Sequence, residues 1–152
     1  MSSDVSLAVT LEDHRKAFAE VAFLMDIFTA TIDNVMGGAT APVGRMAGRE
    51  MAKKLPLTMH HPTLEEAVSV MAQRMAAGFV FTLTGADDGR EIVFDSCVLR
   101  KICEQRRTEM GGPLCKLFHA YFDGIINELI CRPVKSELTS CGQQCRLSVR
   151  TQ

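Results

Sequence analysis

The chain has 152 residues, of which 47% are hydrophobic and 23% charged, and carries a net charge of −1 at neutral pH. That length suits one domain with a genuine core, residues 1–152, and the balance excludes a low-complexity chain and a basic nucleic-acid-binding surface. No window approaches the roughly 18 uninterrupted apolar residues of a membrane span, and the N-terminus MSSDVSLAVTLEDHRKAF lacks the basic, apolar and small-residue regions of a signal peptide. The expectation is a cytoplasmic protein with neither a nucleic-acid nor a membrane partner.

Residues 12–38 carry Phe18, Val21, Ala22, Met25, Phe28, Ile32 and Val35 at helical spacing and stop at Gly37-Gly38. These first 40 residues read as a helical extension to a core of residues 41–150. A second helix opens near Pro42 and closes before Pro56; its Gly44, Ala47 and Gly48 predict close approach to a neighbour. Thr63 and Glu66 form a capping box for a third helix. The period then changes: FVFTLT and REIVFD flank a Gly-Ala-Asp-Asp-Gly turn, a hairpin in which Asp87 and Asp88 form the turn. Residues 97–110 are partly helical, their Arg100, Lys101, Arg106 and Arg107 interleaved with Glu104 and Glu109 as a solvated face. Pro113 opens another helix, striped by Leu114, Phe118, Phe122, Ile125 and Leu129 and ended by Pro133. Two short strands follow, joined at Gly142. The sum is an α+β domain, N-terminal helices on a small antiparallel sheet with one late helix.

Six cysteines in a cytosolic domain point to metal or redox chemistry before disulfides. Strand alternation puts Lys135, Glu137, Thr139 and Cys141 on one face of the first late strand, while Cys145, Leu147 and Val149 share the inward face of the next. A three-residue turn would set Cys141 opposite Cys145, at a spacing that suits a disulfide or a shared metal. Cys115 falls in the first turn of a helix, where the dipole favours a thiolate. Further ligands would come from Glu137, Cys97 or Cys103, so the metal candidates are Cys97, Cys103, Cys115, Cys141 and Cys145. The cofactor expected is zinc; the alternative is an iron–sulfur cluster or a thiol redox centre on the same residues. Cys131, at a helix end before Arg-Pro, reads as filler where a small residue is wanted.

Several of these residues occur in the order of a known family. Pro113-Leu114-Cys115, Ala120, Gly124, Glu137, Cys141, Gly142 and Cys145-Arg146-Leu147 resemble the C-terminal half of the vinyl-4-reductase domain. Cys131-Arg132-Pro133-Val134 is similar to that family's Gly-Arg-Pro-Val run, and VGRMAGREMA to its small-residue helix. The resemblance spans residues 40–150 and is strongest over 111–149. The turn between Cys141 and Cys145 departs from the pattern in being short, and Cys103 is an addition. The resemblance implies the ligand-binding fold shared with trafficking-complex subunits, a homodimer, a hydrophobic pocket and, in sensors of aromatic degradation, structural zinc on three cysteines and an acidic residue.

Three functions follow for comparison. The first is a stand-alone module that binds or senses a small hydrophobic or tetrapyrrole-like ligand, with Met25, Met46, Met71 and Met75 as adaptable pocket residues. The second is an iron–sulfur or thiol redox protein. Catalysis ranks third: no dinucleotide fingerprint is present, and no nucleophile–base pair can be placed. His119, one turn after Cys115, is read as a core or surface residue ahead of a donor to a metal ligand; His60 and His61 are read as loop residues and His14 as lying on a polar helix side.

Overall fold

The computed structural model describes residues 8–152. Helix α1 (Leu11–Val35) opens at Thr10, whose hydroxyl accepts from the Asp13 N–H while the Asp13 carboxylate accepts from the Thr10 N–H. This reciprocal cap satisfies two amides that the helix itself leaves without partners. Helix α2 spans Thr40–Lys54 and holds Pro42 in its first turn, where the missing N–H costs nothing. Helix α3 (Leu64–Arg74) starts at the expected box, Thr63 with Glu66.

The expected hairpin forms from β1 (Phe79–Thr84) and β2 (Glu91–Cys97), turning through a short 3₁₀ segment at Asp87–Gly89. Helix α4 (Val98–Arg106) follows β2 directly, and α5 (Pro113–Ile130) begins at Pro113 as expected. Cys131 ends α5 in the left-handed region at φ 54°, the place a glycine usually takes, and Pro133 bars any continuation. Strands β3 (Val134–Cys141) and β4 (Cys145–Thr151) complete a four-stranded antiparallel sheet of order β1-β2-β4-β3. The α+β reading with a late helix before the last strands holds.

The core lies where α5 crosses the sheet. Phe122, Ile125 and Ile126 of α5 are buried against Phe81, Ile92, Phe94, Leu147 and Val149, each full burial contributing roughly 1.5–3 kcal/mol. Helix α3 adds Val68 and Met71. On its other side α5 receives α2, and this contact explains the small residues of α2. A β-carbon on Gly44 would lie 2.6 Å from the Leu117 carbonyl oxygen, and one on Gly48 would be driven into the Tyr121 carbonyl. Gly124 of α5 meets the Arg45 carbonyl in the same way.

Helix α1 behaves differently from its pattern. Of its residues only Ala22 and Thr29 are buried, while Phe18, Val21, Met25, Phe28 and Val35 of the stripe are exposed. The periodicity located the helix; the stripe itself covers only part of the body beneath it. Among the described residues no helix is long and apolar enough to cross a membrane.

Candidate functional site

Two features stand side by side across α4. The first is an apolar cavity of about 530 Å³ between α1, α2, α4 and α5. Its floor is aromatic: Phe79 and Phe118 stack face to face with ring centres 4.3 Å apart, and behind them Phe94 and Phe122 continue the cluster edge-on. Offset and edge-on pairs of this kind add about 0.5–1.5 kcal/mol beyond burial and hold the floor rigid. Leu99 and Ile102 of α4 form one wall, and Phe18, Val21 and Met25 of α1 form the rim. Tyr121 carries the lone hydroxyl among the lining side chains. Burial pushes its pKa up, so at neutral pH the group is a protonated donor. Of the four methionines expected at a pocket, Met25 and Met75 line it, Met71 belongs to the core and Met46 is exposed.

The second feature is a line of neighbouring thiols beside α4. Cys97 ends β2 at the start of α4, facing the amides of Leu99 and Arg100; burial raises its pKa more than those amides lower it. Cys145 and Cys141 sit directly opposite each other on β4 and β3, with their sulfurs 3.7 Å apart. Burial, then the neighbouring Cys145 sulfur, pushes the Cys141 thiol up to about 11. Cys103 and Cys115 are both buried, and Cys103 and Cys97 are close enough to raise the Cys115 thiol further after burial has done most of it, to about 12. The helix-start position predicted a thiolate at Cys115. Burial outweighs the contact at Gly111 that favours it, and the thiol keeps its proton.

The topology thus makes the five candidate cysteines a chain of neighbours, with Arg100 among them donating from Nη2 to the Cys145 sulfur at 3.1 Å. Arg100 was expected on a solvated face and is instead half-buried in the cluster. Among the described residues no group of three or more His, Cys, Asp or Glu side chains is arranged to hold a metal ion. Glu137 is not beside Cys141. A register shift between Leu138 and Ser140 inserts Thr139 as a bulge, which turns Cys141 onto the inward face with Leu138 and leaves Glu137 on the other. Glu137 pairs there with Lys135 at 3.3 Å. Strict alternation fails because a bulge resets the side-chain parity of everything beyond it.

His119 lies with Lys116 and Asp123 on a cleft between α5, α2 and β3, and desolvation holds its pKa down at about 4. His60 and His61 are exposed loop residues, and His14 is exposed on α1. Asp123 was not singled out by the sequence reading. It is buried, and both its oxygens accept from Ser136, from the amide at 2.9 Å and from the hydroxyl at 2.6 Å, tying α5 to the edge strand β3. A lone acid on the buried stripe of a helix was the available clue.

No family model matches the chain, and no curated protein matches it. Among solved structures it is similar to the phenol-responsive sensory domain of the transcription activator PoxR, crystallised with phenol. The TM-score is 0.56 at 16% identity, over 86% of this chain and 73% of that one. This likeness shows a shared fold.

Proposed function

We propose that this domain binds a small, largely apolar molecule of about one aromatic ring in the cavity beneath α1, and acts as a sensor of it. The cavity carries the reading. Its volume falls within the roughly 300–1,000 Å³ typical of ligand sites, it is walled almost wholly by carbon, and Tyr121 is the lining residue with a hydroxyl to offer. A ligand with a single hydroxyl on a ring satisfies such a site, and a strongly polar ligand would lose its hydration without return. The phenol-responsive domain of like fold supports the same class of ligand. A vinyl-4-reductase-type module is the family reading that accords with it. Six free thiols suit a cytoplasmic location.

Titrating phenol, cresols and larger fused-ring compounds against the melting temperature tests this reading. A one-ring binder at about a hundred times its dissociation constant stabilises by roughly 2.7 kcal/mol. Ala47→Trp, at an exposed position on the cavity lining, is expected to weaken binding at least tenfold while leaving the ligand-free melting point unchanged. No stabilisation by any apolar compound would sink the proposal.

The same reading includes a homodimer that covers the rim. Phe18 and Phe28 are 45% and 60% exposed on α1, with Val21 and Met25 between them, an apolar strip of the kind that a second copy covers. Sedimentation equilibrium at micromolar concentration is expected to give a dimer, and Phe28→Asp, which lies outside the cavity, a monomer. A monomeric wild-type chain overturns this part alone.

A cysteine-held metal is a separate reading, and the 3.7 Å between the Cys141 and Cys145 sulfurs is what supports it. The donor set as arranged does not fit zinc or an iron–sulfur cluster, because the guanidinium of Arg100 already donates to the Cys145 sulfur, a cation where a cation would bind.

A further inference from the structure

We propose that Cys141 and Cys145 are a reversible disulfide site, closed by a peroxide-class oxidant and reopened by thiols. Four observations converge on the pair. The residues are direct cross-strand partners, a geometry whose α-carbon spacing of about 4.5–5.5 Å lies inside the range that a disulfide spans. The Thr139 bulge turns both side chains to one face, and their sulfurs are already in contact at 3.7 Å. Cys141 is half-exposed at the hairpin end, so oxidant reaches one sulfur while the other, Cys145, is buried behind it. Arg100 faces the Cys145 sulfur and counters negative charge developing there during attack.

The enclosed loop is short, three residues between the two cysteines. A link across so short a loop constrains the unfolded chain least, and exposed links of this kind are the labile, responsive ones. Cys103 and Cys115, by contrast, are both buried, so neither presents a half-exposed sulfur as Cys141 does.

The chemistry balances with hydrogen peroxide as the oxidant. The Cys141 sulfur attacks one peroxide oxygen, the O–O bond breaks, and a sulfenic acid and one water result. The Cys145 sulfur then attacks Cys141, the S–O bond breaks, and the hydroxyl leaves as a second water carrying the remaining thiol proton. Two thiols are oxidised to one disulfide and one peroxide is reduced to two waters. Because burial keeps the Cys141 proton in place, the first step is slow near neutrality, and the site answers sustained oxidant.

Peptide mass spectrometry of the oxidised wild-type protein tests this directly. Trypsin cuts after Lys135 and Arg146 and releases both sulfurs on one peptide, residues 136–146. After peroxide treatment that peptide is expected to be two hydrogens lighter and inert to iodoacetamide until reduced, with the other cysteines still alkylated. Cys131→Ser leaves the change intact, whereas Cys141→Ser and Cys145→Ser each abolish it. A link from either residue to Cys97, over-oxidation of Cys141 without a link, or a stoichiometric metal that shields the pair overturns the proposal. The wild-type measurement needs no variant to fold, and it is independent of whether the cavity binds phenols.

Discussion

Gly48→Val is expected to be the most damaging single change in the domain. The side chain has no room: its β-carbon would be driven into the Tyr121 carbonyl, with the Ile125 nitrogen 3.0 Å away. All of these are backbone atoms of α5, so no rotamer change relieves the clash and the whole of α2 must move away. Overpacking with flexible neighbours costs about 1–3 kcal/mol; against rigid backbone the loss is expected to reach about 3 kcal/mol or more. For a domain of this size that is a fall of roughly 6–12 °C in the melting temperature. Met46→Lys, two residues away on the exposed side of the same helix, should stay within about 0.5 kcal/mol. Equal melting of the two variants would show that α2 does not pack on α5 as described.

The second large effect is expected from acid. His119 ionises near 6.5 in the unfolded chain and only near 4 when folded, because desolvation disfavours the imidazolium. Between those values the unfolded state binds the extra proton, so stability is intact above pH 6.5 and falls as the pH drops to about 4, where the loss levels off. Each unit is worth about 1.36 kcal/mol, giving at most roughly 3 kcal/mol. Asp123 on the same cleft acts in the opposite sense. Burial raises its carboxyl despite the Ser136 contacts, so its cost is present at neutral pH and eases on acidification. The difference between wild type and His119→Gln isolates the histidine. Denaturant unfolding at pH 7 and pH 4.5 should show the variant gaining relative to wild type at the lower pH; parallel acid losses in the two would exclude His119 as the cause.

What could be read from the sequence was what is encoded locally. Thr63 with Glu66, Pro113, and the Asp-Asp-Gly turn fix chain direction by hydrogen bonds and torsions within a few residues, and each appears where expected. The close approach signalled by Gly44 and Gly48 was legible too, although its partner, α5, was not. Three features depended on tertiary context. Periodicity marks a face as apolar without saying whether core, cavity or solvent lies against it, so Phe18, Val21 and Met25 could not be assigned to a rim. The bulge at Thr139 arises from how β3 pairs with β4, and it separates Glu137 from Cys141 despite their even spacing. Arg100 looked like one more surface cation because nothing local reveals the sulfur it meets, 45 residues further along the chain. The five cysteines were named as one set from a helix start, strand parity and spacing; in the fold each has another of them as a neighbour.

Helix α4 is one turn of chemistry seen from two sides. Leu99 and Ile102 line the cavity, while Arg100 meets the Cys145 sulfur and Cys103 neighbours Cys115, all within five consecutive positions. A party wall of this kind cannot be moved for one tenant alone. Any free-energy difference that an occupant of the cavity makes to the placement of α4 is returned, equal in size, as a change in the equilibrium of whatever the sulfurs engage, since linkage between two sites is reciprocal. If the cavity and the Cys141–Cys145 pair act as proposed, the nine residues of Val98–Arg106 are the element through which one would be felt at the other.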